Sequence, residues 1–174
     1  MRQGKTTILD LNRHLRSEDF KRYALQCGLA GVTVLILLLI LDAVTQTVLI
    51  AALGASSFIA FAVPHSLHSG PRHLIGGYLI GMASGCFLDM ANTALAISGP
   101  VLAHAVLVFF GAMAISLAMF SMVVTRTEHP PAAALALGLV LNEWDLLTLA
   151  VVLAGIVSLS LVKRLVLPML LDLI

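Results

Sequence analysis

The sequence predicts an all-α fold, a polytopic transmembrane helical bundle of five full spans plus one broken span. Three observations predict it. Sixty per cent of the 174 residues are apolar and 11% are charged, against about 45–50% and about 25% in a soluble domain. The apolar residues fall into runs close to the roughly 20 residues that a helix needs to cross a hydrocarbon core of about 30 Å. When those runs are threaded alternately, all ten Lys and Arg residues fall on one side, the pattern of a cytoplasmic face. The mean hydropathy of +1.04 leaves too few polar side chains to coat a water-facing surface. Soluble globules, disordered segments and disulfide-stapled secreted modules are therefore excluded.

Residues 1–23 form the first unit, a cytoplasmic N-terminal segment. Ile8, Leu11, Leu15 and Phe20 fall roughly on one helical face, with Arg13, Arg16 and Lys21 elsewhere. An amphipathic helix on the inner leaflet and a solvated tail both fit this pattern. The segment is too polar for a cleaved signal peptide, and no small-residue cleavage site follows the first apolar run. Residues 24–174 form the membrane domain. Its runs are 24–41, 43–63, 74–95, 100–124 and 146–162, with a short one at 131–142. Asp42, the polar stretch 64–72, Ser98-Gly99-Pro100, residues 125–130 and residues 142–145 break them. Cys27 and Cys86 sit inside apolar runs without a partner motif, and read as packing residues.

Arg2, Lys5, Arg13, Arg16, Lys21 and Arg22 precede the first run, so both termini are expected in the cytoplasm, with Asp42, Glu143 and Asp145 outside. Lys163 and Arg164 join the inner set only if the chain crosses at 131–142. Twelve helical residues rise only about 18 Å. An extended stretch at 125–130 adds up to about 20 Å, provided its backbone is buried in protein or lines a wet cavity. The expectation is a broken span with a half-helix starting near Pro131. Six crossings give two oppositely oriented halves, and each carries a proline–histidine break. An inverted 3+3 repeat of the transporter type follows as an expectation.

Several polar groups need a reason to lie at membrane depth. Asp89, with Asn92 on the same helical face, either bonds a neighbouring helix or serves as a proton or solute site. His104 is either a packing residue or a proton carrier. Arg126, Glu128 and His129 precede Pro130-Pro131, and proline is favoured at the first position of a helix. The N–H groups of Ala132, Ala133 and Ala134 would then point back toward residues 125–129, a partial positive charge suited to a small anion. Arg126 and His129 would add charge, and Glu128 would pair with Arg126 or Arg72. The alternative is a capped helix start at the inner interface. His65, His68 and His73 make a positively biased vestibule, and no metal site is expected because no Cys or carboxylate completes a set. The small residues Gly28, Gly31, Ala51–Ser57, Gly76, Gly77, Gly81 and Gly85 suit close helix packing; Gly54, Ser56 and Ser57 could also expose backbone to a solute.

Thr125-Arg126-Thr127-Glu128-His129-Pro130-Pro131-Ala132-Ala133 resembles the signature of the HPP family of integral membrane proteins. Gly54-Ala55-Ser56-Ser57, followed by Pro64-His65-Ser66 and Pro71-Arg72, resembles the family's other motif block, in the same order and spacing. The resemblance covers about residues 20–165. Where the family motif often carries glycines after the prolines, Ala132 and Ala133 stand here. The family is usually described with about four membrane helices, against the six segments read above. It implies a transporter, with nitrite as the solute associated with some members.

The expected function is a transporter or channel for a small inorganic anion, most nearly nitrite, in the inner (plasma) membrane. The substrate-binding set is Thr125, Arg126, His129, Pro130, Pro131, Ala132, Ala133, Gly54, Ser56, Ser57, His65, Ser66 and Arg72. Asp89 and His104 are the proton-coupling candidates. The expected partners are the anion, the lipid bilayer and further copies of the chain, with no nucleic acid and no cofactor. A non-transporting scaffold and a membrane enzyme are the alternatives, although no serine elbow, HExxH or phosphate loop supports catalysis.

Overall fold

Prolines and one acidic cap set the helix starts. The computed structural model describes residues 17–41, 47–95 and 97–173, and its described residues are helical with short connections. The helices are α1 (Ser17–Leu41), α2 (Thr47–Ala62), α3 (Pro71–Ala94), α4 (Pro100–Thr125), α5 (Pro130–Leu141) and α6 (Leu146–Val166). Short 3₁₀ turns lie at Leu67–Ser69 and Leu167–Met169. α3, α4 and α5 each begin at a proline, whose missing N–H costs nothing where no helical acceptor precedes it. Gly99 leads into α4 with φ 104°, a conformation that glycine adopts without strain.

Three helical stretches are long and apolar enough to cross a membrane: Pro71–Ala94, Pro100–Thr125 and Leu146–Met169. The apolar stretches Ala24–Ile36, Ile50–Ala62 and Pro130–Leu141 are shorter. Large apolar side chains such as Phe87, Phe109, Phe120, Leu161 and Leu165 are exposed on the outside of the bundle, as a lipid-facing surface requires. The amphipathic expectation for residues 1–16 lies outside the described residues. From Ser17 onward the chain is already α1, so the expected boundary at 23 is not a break in the helix.

The shortest helix is the central one. α5 packs against α3 and α4, and also against α2. Pro131, Ala132, Ala133, Leu135, Ala136, Gly138, Leu139 and Val140 are all buried. α3 meets it through a glycine stripe. A Cβ at Gly77 would lie 2.7 Å from His129 Cβ, one at Gly81 2.2 Å from the Ala132 carbonyl oxygen, and one at Gly85 2.8 Å from the Ala136 oxygen. The contacts advance together along both chains, so α3 and α5 run parallel at backbone distance, the use of small residues that membrane helices favour.

The same contacts define two ends. At one, Lys163 reaches Ser69, Arg72 reaches the Thr125 carbonyl, and Gln26 bridges the Phe61 and Leu171 carbonyls. At the other, the Trp144 indole N–H donates to Asp89 at 3.0 Å. α5 carries the chain from the first end to the second, and α6 carries it back. Arg72, Arg126, Lys163 and Arg164 therefore share one end.

Two expectations are corrected here, and a third loses the motive given for it. Residues 125–130 are not one extended strand: α4 runs to Thr125, α5 starts at Pro130, and the four residues between begin with the left-handed Arg126 (φ 55°, ψ 52°). Arg126 N–H donates to Val123 O at 3.2 Å and Thr127 N–H to Met122 O at 2.9 Å, which is a Schellman ending. Glu128 pairs with His73 at 3.6 Å rather than with Arg126 or Arg72. Finally, the two proline–histidine breaks lie between α2 and α3 and between α4 and α5. A 3+3 repeat would not superpose those positions, so the breaks lend it no support.

α6 starts at a capping box. Asp145 Oδ1 accepts from Thr148 N–H at 2.7 Å and from its hydroxyl at 2.6 Å. These bonds hold the exposed Asp145 carboxyl below its ordinary range. A depressed carboxyl contributes stability that is present above its unfolded value, about pH 4, and is lost as pH falls through the folded one. Asp145→Asn should therefore lower the thermal midpoint at pH 7, and the gap from the parent should close in acid. A gap of equal size at both pH values would sink this reading.

Candidate functional site

The basic end holds most of the buried polar groups among the described residues. Ser56, within the glycine–serine stretch of α2, has no exposed surface. Three groups surround its Oγ: the Ala52 carbonyl at 2.9 Å, Tyr78 Oη at 2.8 Å and His129 Nε2 at 2.8 Å. His129 is 1% exposed and is the residue before α5, where extended backbone (φ −146°, ψ 97°) aims its ring into the bundle. Its Nδ1 lies 3.3 Å from the His68 carbonyl, which an imidazole N–H can serve as donor. Three helices and one turn thus converge on a single imidazole.

Around this centre lies a ring of titratable side chains nearer the surface. His68 Nδ1 is 3.1 Å from the Glu128 carbonyl. His73 Nε2 is 3.6 Å from Glu128 Oε2, and the His68 and His73 rings meet edge-on at 5.6 Å. His65 turns outward to Asp172, at 3.5 Å from its carboxylate, so the three histidines of the 64–73 stretch do not converge.

Lys163 adds a cation that is only 5% exposed. Its Nζ donates to the Ser69 carbonyl at 2.7 Å and to Ser69 Oγ at 2.9 Å. Ser69 Oγ in turn donates to the Pro64 and Ser66 carbonyls at 2.7 and 2.8 Å. Among the described residues no carboxylate lies within 4 Å of Lys163. The Asp172 carboxylate is tied to His65 instead. In the same turn the Ser66 hydroxyl is buried and has no hydrogen-bond partner among the described residues.

The remaining expected site residues divide. Ser57, Pro131, Ala132 and Ala133 are buried beside this centre. Arg72 and Thr125 sit at its rim: Arg72 Nη2 donates to the Thr125 carbonyl at 2.8 Å, and Thr125 Oγ1 meets Thr127 Oγ1 at 2.8 Å. Pro130 and Arg126 are exposed. Arg126 therefore does not enter the buried stretch, because its left-handed backbone turns the chain there. The Ala132 N–H, expected to be open to an anion, donates to the His129 carbonyl at 2.9 Å. Gly54 faces open space.

Asp89 and His104 lie far off, at the other end. Asp89 lines a cleft of about 520 Å³ with Asn142, Glu143 and Trp144. The exposed His104 lines a neighbouring one of about 350 Å³ with Asn92 and Thr93.

The model of the HPP transmembrane region matches residues 17–170. The chain belongs to the HPP family. It is a membrane protein with several apolar helices. Comparison with curated proteins and with solved structures finds no match. In this HPP protein the histidine of the name-giving tripeptide is the group on which the packed helices converge, while the two prolines start the helix behind it.

Sequence reading missed Tyr78 and Lys163. Tyr78 carries no signal in an apolar run. Lys163 does: it continues the buried stripe Val152, Ile156 and Leu159 of α6 at helical spacing, whereas Arg164 falls off that stripe.

Proposed function

We propose that this HPP protein carries a small inorganic anion, nitrite or one of its size and charge, across the inner membrane, with both termini in the cytoplasm. The observation that carries this reading is Lys163. An ammonium group held away from water calls for a counter-charge, and its bonded partners here are neutral oxygens of Ser69. A small anion reaching it from the basic end would also meet the orphan Ser66 hydroxyl. Arg72 and Arg126 at the exposed rim raise the local anion concentration. The exposed apolar flanks suit lipid or further copies of the chain. The Ser56–His129 contact also has the form of a nucleophile and its base, but Ser56 is fully buried, so transport is the better reading.

The test is nitrite flux into proteoliposomes, together with nitrite titration of the purified protein. Lys163→Met should reduce affinity by about ten- to a hundredfold, the loss of one charged hydrogen bond of roughly 1.5–3 kcal/mol, while Arg164→Met should not. A folded Lys163→Met protein that binds and transports like the parent overturns the assignment. Should that variant fail to fold, the parent decides: no thermal stabilisation by nitrite or any other small anion would end the reading.

A further inference from the structure

The hydroxyl of Ser56 has two acceptors within reach, and they correspond to two protonation states of His129. In the neutral state, Nδ1–H donates to the His68 carbonyl and Nε2 accepts from Ser56 Oγ–H. Ser56 Oγ accepts from Tyr78 Oη–H. When Nε2 gains a proton it becomes the donor to Ser56 Oγ, and the Ser56 hydroxyl proton turns to the Ala52 carbonyl, already 2.9 Å away. Tyr78 keeps donating throughout. Every donor has an acceptor in both states, without movement of a heavy atom. A buried polar network normally fits one state and is costly in the other; here the hydrogen bonds close in both, and the two arrangements differ by the turn of a single O–H.

We propose that His129 is the proton-carrying residue of this protein and that anion movement is coupled to its protonation. The proposal rests on the transport reading above. The proton is taken up at Nε2 and lost from the same ring, with no bond other than N–H and O–H made or broken. One anion moving with one proton then crosses as a neutral pair. The groups that face His129 are few. α3 presents His73 and Tyr78, the 3₁₀ turn presents His68, and α2 presents only the uncharged Ser56. Glu128 and Arg126 neighbour it in the chain, and Lys163 of α6 lies beyond Ser69. The exposed His68 and the half-exposed Glu128 connect this set to the solution at the basic end. Asp89 and His104, at the opposite end, have no such network: Asp89 is bonded to the Trp144 indole, and His104 stands on an exposed helix face.

The experiment is nitrite uptake into proteoliposomes with and without an imposed gradient of one pH unit, read as the ratio of the two rates. The parent should show a several-fold ratio. His129→Gln, whose amide donates and accepts but does not titrate, should bring it to about one. Asp89→Asn should keep the parent's ratio. A folded His129→Gln protein with the parent's ratio, or a parent whose nitrite uptake ignores the gradient, overturns the coupling while leaving anion transport intact. Absence of nitrite binding and uptake in the parent overturns the transport reading itself. If His129→Gln is not folded, Tyr78→Phe, which removes only the donor into Ser56, should shift the pH dependence of uptake; no shift counts against the relay.

Discussion

Gly81→Ala should cost the bundle about 3 kcal/mol or more, and should lower the thermal midpoint in detergent further than Gly76→Ala, Gly77→Ala or Gly85→Ala on the same stripe. The new Cβ would lie 2.2 Å from the Ala132 carbonyl oxygen, and a backbone oxygen in a packed helix has no rotamer to escape into. Overpacking of a tight core commonly costs about 1–3 kcal/mol, and more where backbone must move. α5 cannot yield by tilting, because Gly77 and Gly85 hold it at His129 and Ala136. The contrast is Gly54→Ala, whose Cβ meets nothing within 4 Å. There the gain in helix propensity, about 0.5–1 kcal/mol, should raise the midpoint. Equal behaviour of the two variants would mean that α5 is not seated on the glycine stripe.

Ser56→Ala should cost about 2–6 kcal/mol, far beyond the loss of one oxygen atom. It strands two buried groups, the Tyr78 hydroxyl and the His129 ring, each at roughly 1–3 kcal/mol. The double variant Ser56→Ala with Tyr78→Phe removes one stranded group and should be more stable than the sum of the two single losses implies. Additive losses in that cycle would show that the hydroxyl chain contributes nothing as a unit.

Much of the fold was legible because its punctuation is chemical. Pro71, Pro100 and Pro130 mark helix starts, Asp145 caps another, and the apolar runs between them are too long to be anything else. α5 was readable as a half-helix from Pro130-Pro131. The turn before it was not, because a Schellman ending is normally announced by glycine and Arg126 occupies the left-handed position instead. The site was only partly legible. His129 and Ser56 stood in the expected set, but their pairing with Tyr78 joins positions 22 and 73 residues from Ser56 in the chain. In helices that are apolar all round, periodicity does not say which face meets which neighbour. Lys163 was counted only with Arg164 in the inner charge set; a long lysine side chain at the end of a span can snorkel to water, but here the 3₁₀ turn at Ser69 captures it first.

The brevity of α5 bears on how the chain enters the bilayer. A twelve-residue helix about 18 Å long is a poor substrate for lateral release into lipid, since its polar flanks would be left at membrane depth. α3 is synthesised about fifty residues earlier, and it already displays the groove of Gly76, Gly77, Gly81 and Gly85 when α5 emerges. α5 therefore docks onto protein instead of partitioning into hydrocarbon. Biogenesis becomes templated and ordered, with the long α3 and α4 in place before the central helix docks against them and α6 closing the bundle afterwards.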